Sequence, residues 1–226
     1  MPVAVWTTKD IAIVTLSIFA GAITLYITTL ALFGDSQTTF ICARYMGSLL
    51  MIMIPLLWVK TKYRLSKEVL GLRNGNLSLA SHALIGVVAA IIYSSLAQLP
   101  FFRYGTAPAG VSITYSPLDL ILVPISISGF ATTVLTPVGE EIMMRGFLYG
   151  YLRRRMGVII GIIIQAIFFS LVHVNSFESA FNVIAHTFII GAILGILYER
   201  TGSLYPSMIC HGMINYLSII IYALRK

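Results

Sequence analysis

Long apolar stretches without a charged residue constrain the fold of this chain more than any other feature. A transmembrane helix needs roughly 17–25 mainly apolar residues. Six stretches have this length: residues 11–33, 77–100, 120–139, 156–174, 180–198 and 202–224. A seventh, residues 45–59, is shorter and reaches that length if the Arg44 side chain extends to the membrane interface. The sequence therefore predicts an all-α, polytopic membrane helix bundle with seven transmembrane helices, forming one integral membrane domain over residues 1–226.

The charges of the chain are few and unevenly placed. Only 10% of its residues are charged, whereas a soluble domain has about 25%, so we expect membrane lipids to surround most of its surface. Basic residues concentrate on the cytoplasmic side of membrane proteins, which predicts a multi-pass protein of the plasma membrane with a cytoplasmic N-terminus. The net charge of +7 then reflects orientation and not a nucleic-acid partner. Ten basic residues fall on the predicted cytoplasmic side: Lys9, Lys60, Lys62, Arg64, Lys67, Arg73, Arg153, Arg154, Arg155 and Arg200.

Two adjacent carboxylates lie deep in the membrane if the helix of the fourth stretch continues to Arg153. Glu140 is then about 20 Å from Arg153, at 1.5 Å per residue. A carboxylate at the centre of a bilayer costs at least about 2.5–3.5 kcal/mol, so a pair of them argues for a function. Glu141 and Arg145 share a helix face and are predicted to form an ion pair, whereas Glu140 points about 100° away. The other acidic residues are expected to lie within reach of water: Asp10, Asp35, Glu68, Asp119, Glu178 and Glu199.

Polar residues of two further stretches reach a similar depth. His173 and His211 lie about 27 Å and 16 Å from the basic side if their helices are straight, and helix tilts of about 20° close much of this difference. Asn215 follows His211 by four residues and shares its helix face. Three helices can therefore bring Glu140, His173, His211 and Asn215 to one polar cavity inside the membrane. The alternative is that these groups only pin neighbouring helices together.

The remaining histidines and the two cysteines are expected to be structural. His82 lies near the inner end of the third stretch and is predicted to be interfacial, and His186 is placed to line a cavity. Cys42 and Cys210 lie in or beside apolar stretches and have neither metal-site nor redox spacing. We therefore expect no role for these four residues in chemistry.

The predicted cluster suits hydrolysis of a carbonyl compound such as a peptide bond. A carboxylate can take a proton from water while histidine orients the water or protonates the leaving group, and Asn beside His suits hydrogen-bond donation to an oxyanion. The sequence has no HExxH motif and no aspartate deep in a span, and Ser170 and Ser207 lack the flanking glycines of a strained nucleophile turn. A zinc ion held by Glu140, His173 and His211, with water as its fourth ligand, remains an alternative.

Three motifs in residues 119–224 resemble one family of membrane proteins. They are similar to those of the CPBP family, the CAAX proteases and bacteriocin-processing enzymes, also called the type II CAAX prenyl endopeptidase or Abi family. Each motif lies on its own predicted span, and their order is that of the family. The motifs are EExxxR (Glu140, Glu141, Arg145), FxxxH (Phe169, His173) and HxxxN (His211, Asn215).

The resemblance implies an intramembrane glutamate-dependent endopeptidase. By analogy, Glu140 would activate the attacking water with the help of His173. His211 and Asn215 would stabilise the oxyanion of the tetrahedral intermediate. No cofactor is then expected, with zinc as the alternative. The substrate would be a prenylated protein cut near its C-terminal CAAX box, or a hydrophobic leader or pheromone peptide.

The resemblance also assigns supporting roles and leaves two differences. Glu141 and Arg145 would hold Glu140 in position rather than react, and Phe169 belongs to the second motif. Met143 and Met144 stand where family members often have an aromatic residue, which affects packing more than chemistry. The best-described members have eight spans, one more than predicted here. Since some members are thought to act without catalysis, a membrane scaffold or regulator of the same fold is the other interpretation.

Overall fold

The computed structural model describes residues 5–74, 78–96, 123, 126–174 and 180–224, and these residues form helices and turns with no strand among them. The prediction of an all-α fold is therefore confirmed. Residues 97–118, which hold the end of the predicted span 77–100 and the loop that follows it, lie outside the described part of the chain. A 3-10 turn, Lys67–Leu70, follows the second helix. Six helices are regular: α1 (Thr8–Phe33), α2 (Gln37–Lys62), α3 (Leu79–Leu96), α5 (Val158–Leu171), α6 (Ala180–Thr201) and α7 (Tyr205–Leu224).

Helix α4 is continuous but irregular. The residue at each junction between its segments keeps right-handed helical φ and ψ angles. The helix therefore continues past the apolar stretch 120–139 to the arginine cluster that follows it. Its segments are α-helical over Ile127–Phe130, Thr136–Glu141 and Gly150–Met156, and π-helical over Ala131–Leu135 and Ile142–Tyr149.

The helices have the length and surface of a protein embedded in lipid. Four of them are long and apolar enough to cross a membrane, α1, α2, α6 and α7, and α3 and α5 contain shorter apolar segments. Many side chains on the outer surface of the bundle are apolar and exposed: Leu16, Ile127 and Ile159 expose 68%, 70% and 74% of their surface. Such a surface is suited to lipid and not to water. The chain is an integral membrane protein, and the number of seven spans stays a prediction.

Helix α2 begins earlier than the sequence predicted. The predicted span covered residues 45–59 with Arg44 at the membrane interface. The structure starts the helix at Gln37, with Ser36 as its N-cap. Arg44 therefore lies about 10 Å inside the helix, seven residues from its start at 1.5 Å each. The polar residues before Arg44 thus belong to the helix and not to a loop, and the interfacial position of Arg44 stays a prediction.

The helix ends that carry most of the basic residues lie on one face of the bundle. This face, which we call the basic face, holds the start of α1 and the ends of α2, α4 and α6. The predicted separation of basic residues by side is consistent with this arrangement, although the structure contains no membrane to fix the cytoplasmic side. Three side-chain pairs join these helix ends: Lys62 with Asp10, Tyr151 with Thr8, and Arg153 with Glu199.

Asp10 is fully buried, whereas the sequence suggested that water reaches it. Its carboxylate accepts hydrogen bonds from Trp58 Nε1 at 3.0 Å, from the Tyr63 hydroxyl at 2.5 Å and from the Thr7 backbone N–H at 2.6 Å, and it pairs with Lys62 Nζ. The first turn of α1 packs against the last turn of α2, and this contact excludes water. Asp10 therefore links the two helices at the basic face.

Replacing Asp10 by Ala is expected to destabilise the bundle by about 2–3 kcal/mol, because it leaves two partly buried donors, Trp58 and Tyr63, without their charged acceptor. The free energy of unfolding, measured by SDS titration in mixed micelles, tests this. Asp35→Ala is the matched control, since Asp35 is exposed at the opposite end of α1, and we expect a change of about 0.5 kcal/mol or less. Equal effects of the two substitutions would show that the buried link does not stabilise the fold.

Candidate active site

Helix α4 is held close to its neighbours by glycines that stand next to two of the predicted site residues. A Cβ atom on Gly139 would lie 2.8 Å from the Ser48 carbonyl oxygen of α2, and one on Gly212 would lie 2.3 Å from the Thr133 carbonyl oxygen of α4. Such distances leave no room for a side chain. Because the helix backbones are in close contact here, the side chains of Glu140, which follows Gly139, and His211, which precedes Gly212, both face the interior of the bundle.

The acidic pair ends the α-helical segment between the two π-helical segments of α4. A π-helical turn holds an extra residue, rotates the side chains around it relative to a regular helix, and occurs frequently at functional sites. The flanking segments therefore decide which neighbours the two carboxylates meet. No pattern in the sequence indicated either segment.

Glu141 forms the buried half of the site. Its Oε1 atom accepts a hydrogen bond from Arg145 Nη1 at 2.7 Å, and both side chains are fully buried. The same oxygen lies 3.0 Å from His211 Nδ1. One carboxylate oxygen thus joins the first and third motifs, and the predicted Glu141–Arg145 pair is present.

Arg145 extends this buried network to α5 and α6. Its Nη2 donates to the Gly191 carbonyl at 3.2 Å, and Gln165 Nε2 donates to the same carbonyl at 2.8 Å. The guanidinium lies over the Phe169 ring, 4.5 Å from its centroid. Gln165 is fully buried and was not singled out from the sequence, although an amide within the apolar run of α5 was the available signal.

Glu140 lies beside both histidines without a direct hydrogen bond to either. Its Oε2 atom lies 3.7 Å from His173 Nε2 and 3.7 Å from His211 Nε2. These distances are too long for direct hydrogen bonds, but a water bridging the groups would satisfy them. Among the described residues, this buried oxygen has no hydrogen-bond partner. The structure thus brings together the three side chains that the sequence suggested could share one cavity.

The other ring nitrogens of the two histidines determine what the Nε2 atoms can do. His173 Nδ1 lies 2.6 Å from the Phe169 carbonyl oxygen. A carbonyl only accepts, so Nδ1 carries the hydrogen, as it also does in His211 opposite the Glu141 carboxylate. In the neutral rings both Nε2 atoms are therefore acceptors directed at Glu140. His211 can donate from Nε2 only when both of its ring nitrogens carry a hydrogen.

Phe169 sets the spacing of the site. Its ring centroid lies 4.4 Å from that of His173 and 5.6 Å from that of His211, the latter at an interplanar angle of 75°. The Phe169 ring also contacts the Arg145 guanidinium. The FxxxH motif thus supplies one ring that packs against both imidazoles and the buried ion pair.

Asn215 lies farther along α7, beside the first π-helical segment of α4. Its Nδ2 donates to the Thr132 carbonyl at 3.0 Å. An amide group has two N–H donors, so this bond leaves one for a substrate. Asn215 lines the same cavity as Glu140, His173 and His211.

A cavity of about 640 Å³ leads from Glu140 toward the face opposite the basic face. The part of its wall nearest that opposite face includes Arg44 near the start of α2, Thr132 near the start of α4 and Ser218 near the end of α7. Arg44, Ser48, Thr132 and Thr136 form a polar strip between α2 and α4, with Arg44 Nη1 2.6 Å from Thr132 Oγ1 and Ser48 Oγ 2.9 Å from Thr136 Oγ1. The four-residue spacing of these polar residues was a signal that the sequence reading missed.

On the other side of Glu140, toward the basic face, the bundle is filled by a cluster of buried apolar and aromatic side chains. Trp6 stacks on Phe147 with centroids 4.9 Å apart, and Tyr149 packs edge-on against Tyr198. The cavity lining includes none of these residues. We call this cluster the aromatic plug.

The other histidines and the cysteines lie outside the Glu140 cluster. His82 is fully buried in the first turn of α3, with Nδ1 2.7 Å from the Ser78 carbonyl oxygen and the Tyr205 ring of α7 edge-on to its imidazole, and its interfacial position stays a prediction. His186 lines the cavity and is hydrogen-bonded to the Tyr93 hydroxyl at 2.8 Å. Cys42 and Cys210 are both free thiols.

The described residues contain no group of three or more His, Cys, Asp or Glu side chains arranged to hold a metal ion. The set predicted for zinc, Glu140, His173 and His211, has oxygen–nitrogen distances of 3.7 Å. Two ligands that one tetrahedral zinc ion holds at about 2.0–2.2 Å lie about 3.3–3.6 Å from each other. Zinc therefore stays an alternative to water at the centre of the site.

Comparison with known proteins agrees with the motifs. Residues 122–217 match the family described as type II CAAX prenyl endopeptidase Rce1-like. This range includes every residue of the three motifs. No curated protein and no solved structure matched the chain. Over these residues the chain is similar to the Rce1-like type II CAAX prenyl endopeptidases, as its three motifs indicate.

Proposed function

We propose that this protein is an intramembrane endopeptidase in which Glu140 activates the attacking water. The family supports a peptidase, and one observation carries the mechanism: Glu140 Oε2 is a buried acceptor 3.7 Å from the Nε2 atoms of both His173 and His211. A water held there is in contact with a general base and lies beside a polar cavity. These are the requirements for hydrolysis of a peptide that enters the cavity.

In the first step Glu140 takes a proton from the water, whose oxygen forms a bond to the carbonyl carbon of the substrate. His173 Nε2 accepts the second hydrogen of the water and orients it. The negative charge on the carbonyl oxygen is stabilised by the free N–H of Asn215 and by His211 in its imidazolium form, with Glu141 as counter-ion. When the intermediate collapses, the carbon–nitrogen bond breaks and the proton held by Glu140 passes to the leaving amine.

The position of the cavity bears on the substrate. Peptides reach Glu140 from the face opposite the basic face, or sideways from the lipid. If the basic face is cytoplasmic, as its residues predict, this route suits a hydrophobic leader or pheromone peptide that has been exported. A prenylated CAAX protein, the other predicted substrate, is suited to the site by its lipid anchor.

A cleavage assay with the purified protein in detergent tests this proposal. Two substrates are offered, a farnesylated peptide ending in a CAAX box and an apolar leader-type peptide, and products are identified by mass spectrometry. We expect hydrolysis at a single peptide bond in at least one of them. A properly folded protein that cleaves neither would support the scaffold interpretation.

Removal of metal ions is expected to leave this activity unchanged, because the site holds its water with a carboxylate and two imidazoles. The rate is compared before and after prolonged incubation with 1,10-phenanthroline, followed by dialysis. Loss of activity that added zinc restores would instead establish the zinc alternative with Glu140, His173 and His211 as ligands.

A further inference from the structure

We propose that Arg44 binds a carboxylate of the substrate, namely the free C-terminus of the bound peptide. This inference rests on the proposed peptidase function and adds a specificity-determining residue to it. Arg44 lies outside residues 122–217, which match the family.

The position of Arg44 is unusual for a charged side chain in a membrane protein. It lies about 10 Å inside α2, seven residues from the start of the helix, and it lines the same cavity as Glu140. Ionisable residues within membrane helices are costly, and those that face a cavity commonly mark the path of a substrate.

The guanidinium of Arg44 is held in place but keeps most of its binding capacity. Nη1 donates to Thr132 Oγ1 at 2.6 Å, and the group lies 5.0 Å from the centroid of the Phe40 ring. Within the part of the chain that the structure describes, no carboxylate lies within 4.0 Å of it. A guanidinium has five N–H donors in a planar fork that matches a carboxylate, so Arg44 is oriented and still able to bind an anion.

Arg44 and Glu140 lie along one wall of the cavity. Arg44 touches Thr132, which precedes Glu140 by eight residues on α4, and both Arg44 and Glu140 line the cavity. A peptide with its scissile carbonyl at Glu140 can therefore extend along this wall with its C-terminal carboxylate toward Arg44.

Arg44 also interacts electrostatically with Glu140, so a simple loss of activity on mutation would not identify its role. A counter-ion for Glu140 would affect every substrate equally, whereas a carboxylate-binding residue discriminates between substrates by their C-terminus. Binding is therefore measured in a Glu140→Gln background, which removes both the chemistry and the charge of that residue.

The probe is a fluorescein-labelled, farnesylated peptide with three residues after its cysteine, in three forms: free acid, C-terminal amide, and free acid lengthened by three residues. Fluorescence anisotropy gives the dissociation constant of each. With Arg44 present, we expect the amide and the lengthened peptide to bind about 10- to 100-fold more weakly than the free acid. With Arg44→Gln added, the three peptides should bind equally weakly, and Arg44→Lys should keep part of the preference for the free acid.

Ser48→Ala is the matched control, because Ser48 lies one turn from Arg44 in the same polar strip and should leave the preference unchanged. A preference that survives Arg44→Gln, or that is absent with Arg44 present, would overturn the proposal. An equal loss of binding of all three peptides on Arg44→Lys would do so as well, since it would indicate a role in packing or lipid-phosphate binding. Cleavage by the parent protein tests the peptidase function separately, so the two failures are distinguishable.

Discussion

Replacement of Glu140 by Gln is expected to lower the rate of peptide hydrolysis by about 10²- to 10⁴-fold while the protein remains folded. The amide is nearly the same size as the carboxylate but cannot take a proton from water. Its side chain is 14% exposed and faces the cavity, so the change breaks no buried ion pair. The rate is measured with the substrate that the parent protein cleaves, under saturating conditions, so that the loss appears in kcat.

Glu68→Gln is the matched control for this experiment. It is the same chemical change on an exposed turn at the basic face, far from the cavity lining, and it should retain full activity. Equal rates for the Glu140→Gln variant and the parent would remove Glu140 from the mechanism. Thermal unfolding of both variants verifies that any loss of activity does not result from loss of the fold.

Replacement of Arg145 by Met is expected to destabilise the protein by about 3–5 kcal/mol, because it leaves the fully buried Glu141 without its cation. The same change removes the donor to the Gly191 carbonyl and the cation above the Phe169 ring. Since Phe169 packs against both imidazoles, activity should fall together with stability. The free energy of unfolding by SDS titration gives the size of the effect.

The double variant Glu141→Gln/Arg145→Met separates the cost of an unpaired charge from the cost of lost packing. Removing both charges should recover a large part of the stability lost in Arg145→Met, because no isolated buried charge remains. Its activity should not recover, because His211 Nδ1 loses the carboxylate oxygen that lies 3.0 Å from it and orients the ring. If the double variant were as unstable as the sum of the two single variants, the ion pair would not be the source of the effect.

The fold class and the site could be predicted to different depths from the sequence. Apolar stretches of membrane length indicate helices because the bilayer sets their length. The motif spacing of four residues placed Glu141 with Arg145 and His211 with Asn215 on shared helix faces. Recognition of the family was confirmed on this basis, since its three motifs stand in order on separate helices. The chemical roles of these residues stay predictions.

Features that depend on contacts between helices could not be predicted. Asp10 is buried because the ends of α1 and α2 pack together, a contact that neither helix reveals alone. The start of α2 is hard to locate among polar residues, and the partner of Arg44, Thr132, lies 88 positions away in the chain. The burial of His82 could not be predicted either, since Tyr205 of another helix covers it.

The aromatic plug has a consequence for the energy supply of the cell. A water-containing cavity that reaches the middle of a bilayer shortens the path along which protons and other ions could leak. Here the remaining path is filled by Trp6, Phe147 and Tyr149, which are at most 2% exposed, and a layer of this kind offers ions no water to replace their hydration. Under the proposed mechanism, the protons exchanged at Glu140 would therefore return to the side from which they came, and the proton-motive force across the membrane would be preserved during cleavage.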